Sequence, residues 1–510
     1  MDTLLAHDVG TSGTKATLVT VDGRIVATAY EPYATRYPRP RWAEQNPEDW
    51  WRAVASTTRQ VMEASPAKPA EILGLCFSTQ MVNALPVDAQ CRPLMPCISW
   101  LDGRAGEEAQ IVMRKLGGPA IFAMIVGVAM TGKDLIPKYL WLKRNAPEVY
   151  AKAAAVIDTS SYLLYQATGK LVYEWSVASV TGLFNLKTKV WDTPLIRFFG
   201  FDRSKFPDLV QSHERVGGLT PEAAAALGLS EGMPVFGGAG DAMTAAVGSG
   251  AVGEGEGHLC LGTSGFVGIV TSKRVNGKRG IATIQSADPG KLLLIAETET
   301  AGACLKWAAK ELYGAEADSE TFKRMDVEVA GTAPGAGGLI FTPWMYGERC
   351  PVADESVRAS FINLGSNHTR AQMARAIYEG VAYNARWILE SIAELYGFRP
   401  DPMRVMGGGA KGLPWLQIVA DVTGRTLEGV PNPQEASAVG AALIEAVGLG
   451  LCPSLEATKP LVPAGHVVTP DASRATRATY DELYAAYRQV YRSLRGLYHT
   501  LNRPKGQAGE

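Results

Sequence analysis

The pattern of apolar and polar positions predicts an α/β protein. Three apolar runs separated by polar turns, TLLAHD, TKATLVTV and RIVATAYEPY, indicate a three-stranded meander at the start of the chain. NPEDWWRAVASTTRQVMEA then predicts a helix, because Asn46 can cap it, Pro47 suits its first turn, and Glu48 and Asp49 favour the positive end of the helix dipole. Short apolar strands and amphipathic helices alternate after it, so we expect repeated strand–helix units.

The same pattern begins again halfway along the chain. HLCLGTSGFVGIV, residues 258–270, repeats the apolar run, Gly-Thr-Ser-Gly turn and second apolar run of the opening segment. Two copies about 250 residues apart indicate a duplicated large domain, since solenoid repeats have periods of ~20–50 residues. We therefore expect domains at 1–250 and 251–500, with the boundary between Gly248 and Gly257, and a flexible tail at 501–510.

Composition narrows the classes of function. The 510 residues are 46% hydrophobic and 20% charged with a formal net charge of −1, so neither nucleic acid nor an anionic membrane is an expected partner. No apolar run approaches the ~20 residues of a membrane helix, and the N-terminus lacks a signal-peptide pattern. The seven cysteines show no metal-site or disulfide-framework spacing and fit a reducing compartment, so we expect a cytoplasmic protein.

Two glycine–hydroxyl turns are candidate phosphate-binding elements. Glycines let backbone N–H groups converge on phosphate oxygens, and hydroxyls add donors without bulk. Two such turns across a cleft could hold the phosphate chain of a nucleotide from both sides, although both could also be ordinary hairpins. The candidate residues are Gly10, Thr11, Ser12, Gly13, Thr14 and Lys15 in the first copy, and Gly262, Thr263, Ser264 and Gly265 in the second.

Two aspartates stand beside glycine-rich segments. Asp8 directly precedes the first turn, where a carboxylate next to phosphate is unfavourable unless a cation such as Mg²⁺ lies between them. Asp241, in VFGGAGDAMTAAVGSG, opens a helix of small residues. It can cap that helix, or it can accept the proton of a substrate hydroxyl that attacks phosphorus.

A third glycine loop, MGGGAKG, satisfies the dinucleotide-binding pattern GxGxxG. Its candidate residues are Gly407, Gly408, Gly409, Ala410 and Lys411, and Glu428 follows at the distance of a ribose-binding acid. An NAD-dependent dehydrogenase is therefore one alternative. Only about a hundred residues follow the loop, too few for a dinucleotide sheet, and this alternative leaves Asp8 and both turns unexplained. An adenosine platform needs the same small residues.

The ordered set of motifs resembles the FGGY carbohydrate kinases from about Thr3 to about Gly450. DVGTSGTK and LGTSG resemble the two phosphate motifs, GGAGDAMTAAVG the segment with the catalytic aspartate, and GGGAKGLPWLQIVADVTG with EASAVGAAL the adenosine motif. The resemblance implies two ribonuclease-H-like domains of actin/hexokinase type that close on ATP and a sugar. It implies that Asp241 is the general base and that Asp8 and Asp241 contact the metal ion. It also implies that the two turns surround the phosphates and that Gly407–Lys411 lies beneath the adenosine.

Within that family the motifs are closest to those of xylulokinases, which implies phosphorylation of D-xylulose to D-xylulose 5-phosphate. The expected sugar-binding residues are Gln80, Met81, Val82, Trp100, Asp102 and Asp241. Val82 stands where xylulokinases typically carry a histidine, so a sugar-facing donor and acceptor is lost and L-xylulose, ribulose or erythritol stay open as substrates. A non-catalytic nucleotide-dependent switch of the same fold is the alternative from another class. A homodimer would be unsurprising.

Overall fold

Two seven-stranded mixed sheets organise the protein, and the computed structural model describes residues 2–118 and 130–502. The strands of the first half are β1 Thr3–Val9, β2 Gly13–Thr20, β3 Ile25–Pro32, β4 Glu44–Gln45, β5 Ile72–Thr79, β6 Leu85–Val87, β7 Cys97–Ile98, β8 Ala155–Ile157, β9 Val172–Glu174, β10 Phe184–Asn185, β11 Val190–Trp191, β12 Asp208–Val210, β13 Arg215–Gly218, β14 Pro234–Phe236 and β15 Ala239–Gly240. Its helices are α1 Pro47–Ala64, α2 Gly106–Lys115, α3 Leu135–Asn145, α4 Pro147–Lys152, α5 Thr159–Thr168, α6 Trp175–Ser179, α7 Thr193–Phe198, α8 Pro221–Leu227 and α9 Asp241–Ser249.

The first sheet has the order β13-β14-β5-β1-β2-β3, and β15 also pairs with β5. The predicted meander β1–β3 and helix α1 are both present, and the Asn46 side chain accepts a hydrogen bond from the Glu48 amide at 3.4 Å. β1 runs antiparallel to β2 and parallel to β5, so that Asp8 is paired with Lys15 on one side and Ser78 on the other. Register therefore places these three side chains together at one end of the sheet.

The second half repeats this arrangement. Its strands are β16 Gly257–Leu261, β17 Gly265–Thr271, β18 Ile281–Gln285, β19 Leu292–Thr298, β20 Ile340–Thr342, β21 Ser360–Ile362, β22 Met403–Met406, β23 Leu427–Gly429 and β24 His466–Val468. Its helices are α10 Gly302–Glu311, α11 Ser319–Ala330, α12 Arg370–Tyr396, α13 Leu413–Thr423, α14 Ala436–Gly448 and α15 Arg474–Leu501. The sheet order is β18-β19-β17-β16-β22-β23-β24, with hairpin β16–β17 beside the parallel strand β22, as hairpin β1–β2 lies beside β5. The predicted two-domain α/β class is confirmed.

Helices α9 and α14 join the two halves through backbone contact. A β-carbon on Gly248 would overlap the Ala436 carbonyl oxygen, and one on Gly440 would overlap the Thr244 carbonyl oxygen. Glycine at both positions lets the two helices approach more closely than side chains permit. The small residues of α14 thus serve close packing, and they fix the helix that begins at Asp241.

The last long helix, α15, buries one aromatic face. Tyr480, Tyr484 and Tyr487 are 0%, 5% and 0% exposed, so these side chains belong to the core. Leu501 still lies in this helix and Asn502 caps it, which corrects the expected start of the tail; residues 503–510 lie outside the described residues. None of the helices within the described ranges is long and apolar enough to span a membrane.

Candidate active site

The turn between β1 and β2 carries the first predicted phosphate motif. The Gly10 amide donates to the Gly13 carbonyl at 3.0 Å and closes the turn. The amides of Thr11 and Ser12 have no hydrogen-bond partner among the described residues. Two backbone donors at the tip of a tight turn are suited to binding an anion. Thr14, the second residue of β2, is buried below them.

The turn between β16 and β17 has the same features. Thr263 and Ser264 are exposed, and their amides lack partners within the described ranges. The Gly262 carbonyl accepts from the Gly302 amide at 2.8 Å, which fixes the turn to the start of α10. Lys306, on the same helix, donates to the Thr263 hydroxyl at 3.2 Å and brings a positive charge to the turn.

The third glycine loop packs directly against the second turn. Gly407 has a φ of +87°, and a β-carbon there would lie 2.8 Å from the Leu261 carbonyl group. A β-carbon on Gly409 would overlap the Trp415 ring and lie 2.8 Å from the Leu261 β-carbon. Gly408, exposed at the tip, begins a 3₁₀ helix that continues through the buried Ala410 to Lys411. Close packing thus accounts for Gly407 and Gly409.

One loop of the second half, residues 430–435, connects these elements to the first turn. The Pro433 carbonyl accepts from the Gly407 amide at 2.8 Å. The Gln434 carbonyl accepts from the Lys15 ammonium at 2.8 Å, and the Gln434 side chain accepts from Lys411. The structure therefore brings the three predicted glycine loops to one face between the two halves.

Asp241 is the first residue of α9 and is exposed to solvent. Its Oδ1 accepts the Ala242 amide at 2.8 Å, while Gly240 occupies the N-cap position, so this carboxylate does not cap the helix in the usual way. The surrounding protein disfavours its charged form and the Asp8 charge repels it, which together raise the pKa of Asp241 to about 7. A carboxylate that titrates near neutrality and can be reached from solvent is suited to proton transfer.

Asp8 is linked to that helix by two hydroxyls. The Ser78 hydroxyl donates to Asp8 Oδ1 at 2.9 Å, and the Ser78 and Thr244 hydroxyls are 2.8 Å apart. Burial raises the pKa of Asp8 above its usual value, although the Ser78 hydrogen bond and the Lys15 charge oppose the shift. The hydrogen-bonded chain from Asp8 to Thr244 therefore couples the positions of the two aspartates.

The pair Asp8 and Asp241 fits a divalent cation. Each carboxylate has a raised pKa, and the charge of Asp8 contributes to the shift at Asp241, so a cation between them would stabilise both ionised forms. No group of three or more His, Cys, Asp or Glu gathers as a ligand set in residues 2–118 and 130–502. Phosphate and water oxygens would have to complete the shell, which is how Mg²⁺ commonly binds.

The expected sugar-binding residues Gln80, Met81 and Val82 follow β5 at the same edge of the sheet. Gln80 is buried, and its amide nitrogen donates to Gln45 Oε1 at 2.7 Å, while its Oε1 has no partner among the described residues. The Met81 side chain lies against Gly240, where a β-carbon would overlap its sulfur. These contacts place the segment directly beside Asp241.

Trp100 and Asp102 take different positions. The Trp100 indole donates to the Thr11 hydroxyl at 2.8 Å, so this side chain reaches from the sugar-side segment to the first turn. Asp102 is 0% exposed; its Oδ2 accepts the Ala43 amide at 2.6 Å and pairs with Arg104 at 2.7 Å, and its Oδ1 accepts the Arg104 amide at 2.9 Å. Because both oxygens are occupied inside the protein, the structure gives Asp102 a structural position rather than the expected place at a sugar hydroxyl.

Comparison with known proteins supplies the family. The model of the N-terminal domain of the FGGY family of carbohydrate kinases matches residues 3–248, and that of the C-terminal domain matches residues 257–449. The chain belongs to the FGGY family of carbohydrate kinases. It is therefore a phosphotransferase with a hydroxyl acceptor, as predicted.

Full-length relatives of this FGGY kinase include enzymes for more than one sugar. A xylulose kinase of Lactococcus lactis subsp. lactis (strain IL1403) is 30% identical over 98% of this chain and 99% of its own. A gluconokinase of Bacillus subtilis (strain 168) is 28% identical over 92% and 91%. The crystal structure of a xylulose kinase from Rhodospirillum rubrum superimposes with a TM-score of 0.87 at 28% identity, covering 98% of this chain and 100% of that one.

Membership of the FGGY family decides between the alternatives of different class. The dehydrogenase interpretation of GxGxxG is wrong, and so is the non-catalytic switch, because the matched family consists of kinases. The structure gives the physical reason for the first error. Glu428, the expected ribose-binding acid, pairs with Arg404 at 2.9 Å.

Four residues of the site region escaped the sequence analysis: Gln45, Ser78, Lys306 and Lys138. Gln45 lies in the segment WAEQNPEDWW and contacts the Thr11 carbonyl at 2.7 Å as well as Gln80. Lys306 gave no signal, because it lies far along the chain from the second turn, on helix α10. Ser78 and Lys138 carry no local signal, because their partners come from distant segments.

Proposed function

We propose that this FGGY kinase transfers the γ-phosphoryl group of ATP to a primary hydroxyl of D-xylulose, giving D-xylulose 5-phosphate. The similarity to xylulose kinases over almost the full length of both chains supports the substrate. The single observation that carries the reaction is the position of Asp241. Its accessible carboxylate begins a helix beside Asp8, on the face where the three glycine loops meet.

Each part of the site has a defined role in this proposal. Asp241 accepts the proton of the sugar hydroxyl as its oxygen attacks the γ-phosphorus and the bond to the β-phosphate oxygen breaks. The amides of Thr11 and Ser12, with those of Thr263 and Ser264, bind the phosphate oxygens and stabilise their charge during transfer. Mg²⁺ beside Asp8 would offset the negative charge of the phosphates.

Adenosine would lie against the loop Gly407–Lys411, which continues the surface of the second turn. The exposed tip at Gly408 offers backbone that a planar ring can approach closely. Closure of the two halves would exclude water, which competes with the sugar for the phosphoryl group.

Gluconate is the second candidate acceptor, because gluconokinases are also among the relatives. An acidic sugar calls for a cation at its carboxylate. Arg104 and Lys138, which contact the sugar-side segments, are already engaged: Arg104 with Glu44 and Asp102, and Lys138 with backbone carbonyls. This arrangement favours a neutral ketose over gluconate.

A coupled ADP-release assay tests the proposal. The panel comprises D-xylulose, L-xylulose, D-ribulose, erythritol and gluconate, with ATP and Mg²⁺ constant. We expect the highest kcat/KM with D-xylulose and negligible ADP release without sugar. A higher kcat/KM with another sugar would identify that sugar as the acceptor in place of D-xylulose. ADP release at the same rate with and without every sugar would overturn the kinase assignment.

Two variants assign the base. Asp241→Asn should abolish phosphoryl transfer, by ~10²–10⁴-fold, and leave ATP affinity measured by calorimetry nearly unchanged. Asp208→Asn, at an exposed position of β12, is the matched control and should retain wild-type turnover. Wild-type turnover in Asp241→Asn would rule out this residue as the base.

A further inference from the structure

Val82 has a backbone conformation that its side chain does not favour. Its φ is +64°, in the left-handed region, where a β-branched residue is strained. It lies between Met81 and Asn83, in the segment expected to face the sugar. Such strain persists only where surrounding contacts enforce it, so the contacts of this segment show what holds it.

Two buried ionisable residues hold the peptide unit that follows Val82. Lys138 Nζ donates to the Val82 carbonyl at 2.9 Å, and Asp158 Oδ2 accepts the Asn83 amide at 3.0 Å. The carbonyl and the amide belong to the same peptide unit, which is therefore fixed at both ends. Both Lys138 and Asp158 are 0% exposed, so neither can contact a substrate.

A second peptide unit, between Ser99 and Trp100, is held in the same way. Lys138 Nζ donates to the Ser99 carbonyl at 2.8 Å, and the Trp100 amide donates to Asn83 Oδ1 at 2.8 Å. One ammonium group therefore joins the carbonyls of both peptide units. Since the Trp100 indole bonds to Thr11, the arrangement also reaches the first phosphate turn.

We propose that Lys138 and Asp158 are positioning residues that impose the left-handed conformation on Val82 and thereby set the shape of the sugar pocket. The inference rests on the proposed function and names the residue contacts that would set which sugar the kinase accepts. Lys138 lies on α3, and the titratable groups that act on it are Asp102, Cys97, Asp134 and Asp158. Burial outweighs these groups and lowers the pKa of Lys138 to about 8.

The first test compares Lys138→Met with Lys143→Met. Lys143 is an exposed residue of the same helix that also donates to a backbone carbonyl, that of Gly200, at 2.6 Å. We expect Lys138→Met to raise the KM for the sugar about tenfold or more, with kcat and the KM for ATP changed less than about twofold. Lys143→Met should match the wild type. An unchanged sugar KM, or a loss confined to kcat, would overturn the inference.

The second test combines these changes with Val82→Gly. Glycine adopts the left-handed conformation without strain, so the lysine should matter less in that background. We expect Lys138→Met to raise the sugar KM less than about threefold when Val82→Gly is present. An equal increase in both backgrounds would show that Lys138 does not act through Val82. If Lys138→Met does not fold, Asp158→Asn replaces it in the same comparison, with the same two outcomes.

Two further readouts separate this inference from the proposed function. In the wild type, the sugar KM should rise above about pH 8, because a neutral amine loses the charge-assisted part of its hydrogen bonds, and this rise should be absent in Lys138→Met. Urea denaturation requires no substrate and can be applied to the wild type, Val82→Gly, Lys138→Met and the double variant. The effects of Val82→Gly and Lys138→Met on the free energy of unfolding should be non-additive. Additive effects would overturn the inference, whereas a wild type that phosphorylates no sugar would overturn the proposed function alone.

Discussion

The raised pKa of Asp241 predicts an acid limb in the pH dependence of the reaction. A general base must be ionised, and the protein environment with the Asp8 charge raises the pKa of Asp241 from 3.8 to about 7. A group with a pKa of about 7 is roughly one-tenth ionised at pH 6 and roughly nine-tenths ionised at pH 8. We therefore expect kcat/KM for the sugar to rise about tenfold between these pH values.

Replacing Asp8 should move this limb. Desolvation of the carboxylate by the surrounding protein is the largest cause of the raised pKa of Asp241, and the charge of Asp8 is the second. Asp8→Asn should therefore shift the midpoint to lower pH without abolishing the limb. The direction follows from removing a negative charge that disfavours ionisation of its neighbour.

The assay is coupled ADP release at constant ionic strength, with sugar and ATP far below saturation so that kcat/KM reports the free enzyme. The coupling enzymes are kept in excess at every pH, and Asp208→Asn serves as the control with an unshifted midpoint. A flat profile between pH 6 and 8, or the same midpoint in Asp8→Asn, would refute the assignment of the limb to Asp241.

Three further outcomes follow from the same geometry. The folded-state pKa of Asp241 exceeds its usual value of 3.8, so the wild type should lose stability as the pH rises from about 4 to about 7. In urea denaturation, the free energy of unfolding of Asp241→Asn relative to the wild type should therefore be higher at pH 8 than at pH 5. The same difference between the two proteins at both pH values would contradict this. Asp8→Asn should raise the Mg²⁺ concentration for half-maximal activity in a titration at fixed ATP. An unchanged Mg²⁺ concentration would show that Asp8 does not contribute to the metal site. Gly440→Ala places a methyl group against the Thr244 carbonyl. It should lower the free energy of unfolding by ~1–3 kcal/mol and kcat/KM by about tenfold or more. Wild-type values of the free energy of unfolding and of kcat/KM would show that α9 tolerates displacement.

Several features of the fold followed from local sequence alone. The hairpins around the two Gly-Thr-Ser-Gly turns, the capped start of α1 at Asn46 and the aromatic face of α15 all depend on residues within one or two turns of each other. Periodicity and turn chemistry report such features because the responsible contacts are short in sequence. The duplication was visible for the same reason, since each half begins with its own hairpin.

Local signals did not show which partner a polar side chain takes in the folded protein. Asp102 was expected at the sugar, but Arg104 and the Ala43 amide occupy its oxygens. Glu428 matched the position of a ribose-binding acid, yet Arg404 pairs with it. A polar residue in a plausible motif can satisfy its hydrogen bonds inside the protein, and the sequence does not show which choice is made.

The sequence by itself determined the elements of this kinase: the two hairpins, the glycine loops, and aspartates placed beside a turn and at a helix start. Tertiary structure decided how these elements combine, through the contact of Lys15 with Gln434 across 419 residues and the glycine contact between α9 and α14. It also decided the conformation of Val82, because a buried ammonium and a buried carboxylate reach that peptide unit only in the folded chain. Burial forces each polar group to find a partner, and only the complete packing determines which partner is within reach.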